Sequence, residues 1–178
     1  MTVFLSGGAK NGKSSLAQDL AVKLSGGGPR YYVATMIPVD EEDRRRIRHH
    51  VADRAGMGFQ TVECGRRILS ALDGVDRNGT FLLDSVTALL MNEMFQGGQI
   101  DRTAGERCAR ELSAFVRSVK NAVIVSDAIY SDAARYDEIT ELYRAALAMA
   151  DRSVAEACDT VIEMVAGRPM IYKGGLPE

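Results

Sequence analysis

Gly7-Gly8-Ala9-Lys10-Asn11-Gly12-Lys13-Ser14 satisfies the spacing G-x-x-x-x-G-K-[ST], the pattern of a loop that holds the phosphates of a nucleoside triphosphate. Glycines let the backbone curl until successive N–H groups converge on phosphate oxygens, and the N-terminus of a following helix adds a favourable dipole. Lys13 is placed to reach the β- and γ-phosphates. Ser14 offers a hydroxyl to Mg²⁺, a cation that takes oxygen ligands and keeps several of its waters. A glycine-rich turn with no ligand has no use for a lysine and a serine at these two positions.

Asp84 closes the apolar run Phe81-Leu82-Leu83, where a carboxylate at a strand end completes a Mg²⁺ site with Ser14. The same residue also reads as the N-cap of a helix starting at 85, because Asp is a favoured cap. Both histidines of the chain, His49 and His50, fall in Glu41-Glu42-Asp43-Arg44-Arg45-Arg46-Ile47-Arg48-His49-His50-Val51. Acidic residues in front and basic ones behind suit the dipole of one helix. Helical spacing puts His50 with Ile47, Val51 and Arg54, and His49 with Arg45, Arg46 and Asp53. A histidine on an apolar stripe is more often a packed residue than a nucleophile. A neutral imidazole among guanidiniums is nevertheless competent to attack phosphorus, with the arginines holding phosphate oxygens. The arginine cluster also reads as a solvated helix face.

The elements that must position these groups follow from the apolar pattern. Short runs at 3–6, 31–35, 81–84 and 122–127 read as strands buried on both faces, and the stretches between them are long enough for crossover helices. Helices are predicted over 13–25, 40–54, 85–96, 101–119 and 134–157. Gly26, Gly27, Gly28 and Pro29 end the first helix. Residues 160–165 and 169–173 flank Ala166-Gly167-Arg168 and read as two late strands joined by a tight turn, an antiparallel hairpin at the sheet edge. The expected fold is α/β and P-loop NTPase-like, with a largely parallel central sheet flanked by helices. Segment 56–79 carries no decisive pattern.

The 178 residues suit a single nucleotide-binding domain, 46% hydrophobic and 26% charged, which excludes a disordered or fibrous chain. The 22 Lys and Arg against 24 Asp and Glu give no net-charge argument for nucleic acid, and the aromatic residues form no stacking cluster. No apolar stretch approaches the roughly 20 residues of a membrane span, and the opening residues read as strand and glycine loop rather than signal sequence. A cytoplasmic protein is expected. Cys64, Cys108 and Cys158 are too widely spaced for a zinc knuckle or a disulfide framework.

Taken in order, the motifs resemble those of the bifunctional adenosylcobinamide kinase and adenosylcobinamide-phosphate guanylyltransferase family of cobalamin synthesis. The resemblance rests on the cradle, then Tyr32-Val33-Ala34-Thr35, Asp40-Glu41-Glu42, Arg46-Ile47 with His50 three residues later, Thr61-Val62-Glu63, and Leu83-Asp84-Ser85-Val86-Thr87 with Asn92 and Phe95. It is strongest over 1–97. It implies phosphorylation of adenosylcobinamide by ATP or GTP with Mg²⁺, then transfer of GMP from GTP through a guanylylated histidine to adenosylcobinamide phosphate. It also implies a homotrimer. By position, the guanylylated residue is His50, and nucleotide contacts fall on Ala34, Thr35, Met36, Val51, Ala52, Asp53, Arg54, Glu63 and Asp84.

Later in the chain, Ser126-Asp127-Ala128-Ile129-Tyr130 stands where the family commonly has Asn-Glu-Val-Gly, while Tyr143 and Arg144 match its Phe-Arg pair closely. Two other readings stay open on the residues alone: a P-loop kinase for another small alcohol with His50 structural, and a nucleotide-binding switch that transfers nothing.

Overall fold

The computed structural model describes residues 1–177. Its elements run β1 (Thr2–Gly7), α1 (Lys13–Ser25), β2 (Arg30–Ala34), α2 (Glu41–Asp53), β3 (Phe59–Glu63), a 3-10 helix (Ile68–Leu72), β4 (Thr80–Asp84), α3 (Val86–Met94), β5 (Phe95–Gln96), β6 (Gln99–Ile100), α4 (Ala104–Ser118), β7 (Asn121–Val125), α5 (Glu138–Ala157), β8 (Thr160–Val165) and β9 (Arg168–Lys173). Seven strands form one sheet in the order β3-β2-β4-β7-β1-β8-β9. Every pairing is parallel except β8 with β9. Ala166 and Gly167, both at positive φ (49° and 77°), make the tight turn of that edge hairpin, the backbone that matches strand twist.

Side chains alternate across each strand, so the continuous apolar runs feed two cores. Val3, Leu5, Tyr32, Leu82, Val123 and Val125 pack with Ala17, Leu20 and Ala21 of α1 on one face. On the other, Phe4, Val33, Phe81, Leu83 and Ile124 pack under residues of α3, α4 and α5. Phe81 is fully buried, stacked on Tyr31 at 4.9 Å and edge-on to Phe115 at 5.7 Å between ring centroids. Truncating it to alanine would cost about 3–5 kcal/mol.

The helix predicted from 134 begins at Glu138, because the Asp137 carboxylate accepts from the N–H groups of Ile139 and Thr140 (3.0 Å each) and caps the first turn there. The helix predicted over 85–96 stops at Met94. Gly97 and Gly98, at φ 56° and 79°, then turn the chain into the β5–β6 hairpin. The helices predicted over 40–54 and 101–119 shorten by a few residues to Glu41–Asp53 and Ala104–Ser118. Segment 56–79 supplies the edge strand β3 and the 3-10 helix, which buries Ile68, Ala71 and Leu72. All three cysteines are free and buried. Among the described residues no helix is long and apolar enough to cross a membrane.

Candidate active site

The cradle leaves the sheet at the carboxyl end of β1, which runs between β8 on one side and β7 on the other. Gly7 has φ 141°, and a Cβ there would lie 2.7 Å from the carbonyl oxygen of Met164 and 2.7 Å from Asn11 Nδ2. Only glycine lets the loop turn this close to β8. Asn11 Nδ2 donates to the same Met164 carbonyl (2.7 Å) and fastens the loop's far side. Gly12 caps α1 with no side-chain hydrogen bond. The first amides of the helix therefore remain open to an anion.

Lys13 is 6% exposed, and its ammonium is fully engaged. It donates to the carbonyls of Gly7 (3.0 Å) and Gly8 (2.6 Å) and lies 2.8 Å from Asp127 Oδ1. Ammonium has three donors, and these acceptors take all of them. Asp127 follows β7, whose end pairs with Asp84 through Val125.

A second site opens beside the cradle. A cavity of about 690 Å³ lies between α2 and the carboxyl ends of β2, β3 and β4, a size suited to a small ligand. Ala34, Met36, His50, Val51, Arg54, Glu63 and Asp84 line it, all positions expected from the sequence; Tyr32, Arg44, Ile47 and Arg48 line it too. The expected apolar face of α2 is the cavity-facing one. It buries no residue of the helix, because it closes a cavity rather than a core.

Three predicted contacts are absent from this lining. Thr35 is fully buried, and its Oγ1 accepts from the Ser85 N–H (2.7 Å) and donates to the Ser85 carbonyl (2.8 Å), tying β2 to β4. Ala52 and Asp53 face solvent, with Asp53 Oδ1 3.6 Å from His49 Nδ1. His49 is 78% exposed.

Asp84 joins the two sites. Burial is the largest influence on its carboxyl and raises its pKa; His50, the Tyr32 hydroxyl and Lys13 oppose the shift, and Asp127 adds to it. His50 and Lys13 thus both act on one carboxylate. Tyr32 donates to Asp84 Oδ2 (3.1 Å), and the Arg54 guanidinium lies 3.8 Å over the Tyr32 ring while donating to Thr61 Oγ1 (3.2 Å). As a helix cap Asp84 is displaced by its neighbour: Ser85 is the N-cap of α3 and accepts from Ala88 N.

The residues fit Mg²⁺ held mainly by a nucleotide. A buried carboxylate of raised pKa beside an open cradle is relieved by a cation, and the half-buried Ser14 supplies a hydroxyl at the start of α1. Among the described residues no group of three or more His, Cys, Asp or Glu forms an all-protein metal site.

Residues 3–171 match the family described as cobinamide kinase / cobinamide phosphate guanyltransferase. The chain belongs to this family. Membership makes it a transferase of cobalamin biosynthesis with kinase and guanylyltransferase activity. It is 30% identical over 173 residues to the bifunctional adenosylcobalamin biosynthesis protein CobP of Pseudomonas aeruginosa, covering 94% of this chain and 95% of that protein. The fold also resembles a solved ATPase domain, with TM-score 0.57, 10% identity, and coverage of 97% of this chain and 76% of that one. A KaiC-like protein of Pyrococcus horikoshii gives TM-score 0.51, 13% identity and coverage of 97% and 79%. These likenesses bear out the expected α/β fold with its largely parallel central sheet.

Several site residues escape a sequence reading. Tyr32 looks like ordinary strand filling, and its role depends on the register that sets Ala34 beside Asp84. Asp127 carries a weak signal, a carboxylate just beyond a buried strand, which gains meaning only once β7 lies next to the cradle strand. Arg44 and Arg48 are as exposed as Arg45 and Arg46 but line the cavity, on the face of α2 that helical spacing gives to Ile47 and Val51.

Proposed function

We propose that the chain carries out both reactions of its family, with the cradle and the α2 cavity dividing the work. In the first, the γ-phosphoryl of ATP or GTP passes to the hydroxyl on the aminopropanol arm of adenosylcobinamide. Lys13 and the open amides of α1 hold the phosphates. Bound Mg²⁺, held by Ser14 and Asp84, would neutralise the charge of the triphosphate.

In the second reaction, a nitrogen of His50 attacks the α-phosphorus of GTP, the bond to the β-phosphate oxygen breaks, and pyrophosphate leaves with the electron pair. GMP is then carried on the imidazole as a phosphoramidate. The phosphate of adenosylcobinamide phosphate displaces the imidazole and forms adenosyl-GDP-cobinamide. A histidine intermediate divides one difficult displacement into two easier ones. Arg44, Arg48 and Arg54 supply positive charge around the nucleotide, and Glu63 supplies a hydrogen-bond acceptor for its donors.

The observation that carries this reading is the position of His50. It lines the same cavity as Asp84, which also feels Lys13 of the cradle. A histidine serving only to pack α2 has no reason to face a carboxylate at the edge of a phosphate site. The same reading includes assembly as a homotrimer in the cytoplasm.

Incubating purified protein with adenosylcobinamide, Mg²⁺ and GTP tests it. Mass spectrometry of the corrinoids is expected to find the phosphate first and the GDP derivative after it. Phosphate alone contradicts the guanylyl-transfer half, and unchanged corrinoid contradicts both.

A further inference from the structure

The phosphoryl-transfer step requires something to take the proton of the acceptor hydroxyl, and the cradle's surroundings narrow the choice. Asp84 receives the Tyr32 hydroxyl and lines the α2 cavity with His50. Asp151 is 2% exposed, with both Ser126 Oγ (3.0 Å) and the Tyr130 hydroxyl (2.9 Å) on its Oδ2. Glu63 lines the cavity under α2. Among the described residues, Asp127 is the carboxylate that touches Lys13 and also keeps an open face, its side chain 35% exposed.

Its backbone is held on both sides. Asp127 N donates to Thr87 Oγ1 (3.0 Å) at the start of α3. The flanking amides of Ser126 and Ala128 donate to the carbonyls of Leu5 and Gly7 (3.1 Å each). The carboxylate therefore belongs to the cradle as firmly as Lys13 does, which is the support an acid–base group needs. Lys13 Nζ marks where β- and γ-phosphate oxygens bind. A charge-assisted contact to either partner is about 2.8 Å, so the carboxylate lies within roughly two hydrogen-bond lengths of the phosphate oxygens that Lys13 meets, in reach of an alcohol oxygen approaching them. The groups facing Asp127 are Lys13 from α1, Asp84 from β4, and Tyr143 and Asp151 from α5.

We propose that Asp127 is the general base of the kinase reaction. A bound triphosphate takes the Lys13 donors now given to the Gly7 and Gly8 carbonyls, while Asp127 stays beside the ammonium and turns its open face to the acceptor hydroxyl. As the alcohol oxygen bonds to the γ-phosphorus, its proton passes to Asp127; the bond from that phosphorus to the β-phosphate oxygen breaks, and the electron pair leaves with the nucleoside diphosphate. The proton returns to solvent as product departs. This assignment rests on the kinase reading above.

The experiment compares wild type, Asp127→Asn and Asp127→Glu in steady-state phosphorylation of adenosylcobinamide, recording kcat, nucleotide KM and the half-saturating Mg²⁺ concentration across pH. Asp127→Asn keeps the shape of the side chain and its backbone bonds. It is expected to lower kcat by about 10²-fold or more, to move KM and the Mg²⁺ requirement by less than about threefold, and to abolish the acidic limb of the kcat profile. Asp127→Glu is expected to restore part of kcat together with that limb. A raised Mg²⁺ requirement whose saturation restores wild-type kcat makes Asp127 a metal ligand and overturns the proposal. So does a loss confined to nucleotide KM, which makes it a partner that only orders Lys13, and so does a kcat within a few-fold of wild type. Wild-type protein that binds nucleotide yet phosphorylates no cobinamide defeats the kinase reading and this assignment together.

Discussion

The Tyr32 hydroxyl donates a 3.1 Å hydrogen bond to Asp84 Oδ2, and through that bond the second strand of the sheet supports a buried carboxylate that lines the α2 cavity and feels Lys13 of the cradle. Arg54 lies over the same tyrosine ring. A residue at the end of α2 is thereby connected to the acid beside the cradle.

The bond lowers the Asp84 pKa against the burial that raises it. Tyr32→Phe removes the donor, so the carboxyl holds its proton to higher pH and competes less well for a cation. A hydrogen bond to a charged group contributes about 1.5–3 kcal/mol. The half-saturating Mg²⁺ concentration for kinase turnover is expected to rise roughly tenfold, and by more as the pH is lowered, because the carboxyl without its donor is protonated more readily. An increase independent of pH would contradict this origin.

Lys13→Ala deletes the one ammonium that both Asp127 and the cradle carbonyls hold in place. In the proposed reading it holds the phosphates of the kinase step, and guanylyl transfer depends on it through Asp84, which feels both Lys13 and His50. Each is expected to lose about 10²–10³ in kcat/KM, measured separately as corrinoid phosphorylation and corrinoid guanylylation.

Asp151 gives a stability prediction. Burial pushes its pKa up to about 7, against the Ser126 and Tyr130 hydrogen bonds that lower it, with Asp127 adding to the rise. An unfolded aspartate titrates near ~3.9, so between these values the folded state holds the extra proton and stability falls as pH rises. The penalty is absent below the unfolded value and complete above about 7. Asp151→Asn is expected to melt above wild type at pH 8, with the gap closing as pH falls towards ~4 in a thermal series.

Arg144 pins the loop between β7 and α5. Its guanidinium, 7% exposed as a residue, donates to the carbonyls of Ile129, Asp132 and Ala134 and to the carboxylates of Asp132 and Glu141. A planar fork of five donors suits this set, and a lysine cannot reproduce it. Arg144→Lys is expected to lose about 1–3 kcal/mol and to open residues 129–137 to limited proteolysis, whereas cleavage at the wild-type rate would contradict the pinning role.

Legibility in the sequence divides along physical lines. Residues 7–14 can be read because their chemistry is local: glycine conformation, a lysine and a serine act within one turn. The central strands can be read because burial on both faces leaves continuous apolar runs, as in Phe81-Leu82-Leu83. β3 cannot, since an edge strand whose Gln60, Thr61 and Glu63 are exposed carries little apolar pattern. Thr35 looks like a ligand contact in sequence, yet its hydroxyl is engaged by Ser85 across the sheet, a partnership set by tertiary register. Asp127 has meaning only beside Lys13, which is far away along the chain. His50 lies between these cases: helical spacing puts it on the right face, and the fold supplies the reason that face matters.

The covalent role of His50 is tested most directly by incubating the protein with Mg²⁺ and GTP labelled at the α-phosphate, denaturing it, and mapping any acid-labile label. Label on His50, retained in His49→Ala and absent from His50→Ala, is the predicted result. Protein that binds GTP but carries no label, or carries it on another residue, would contradict the account.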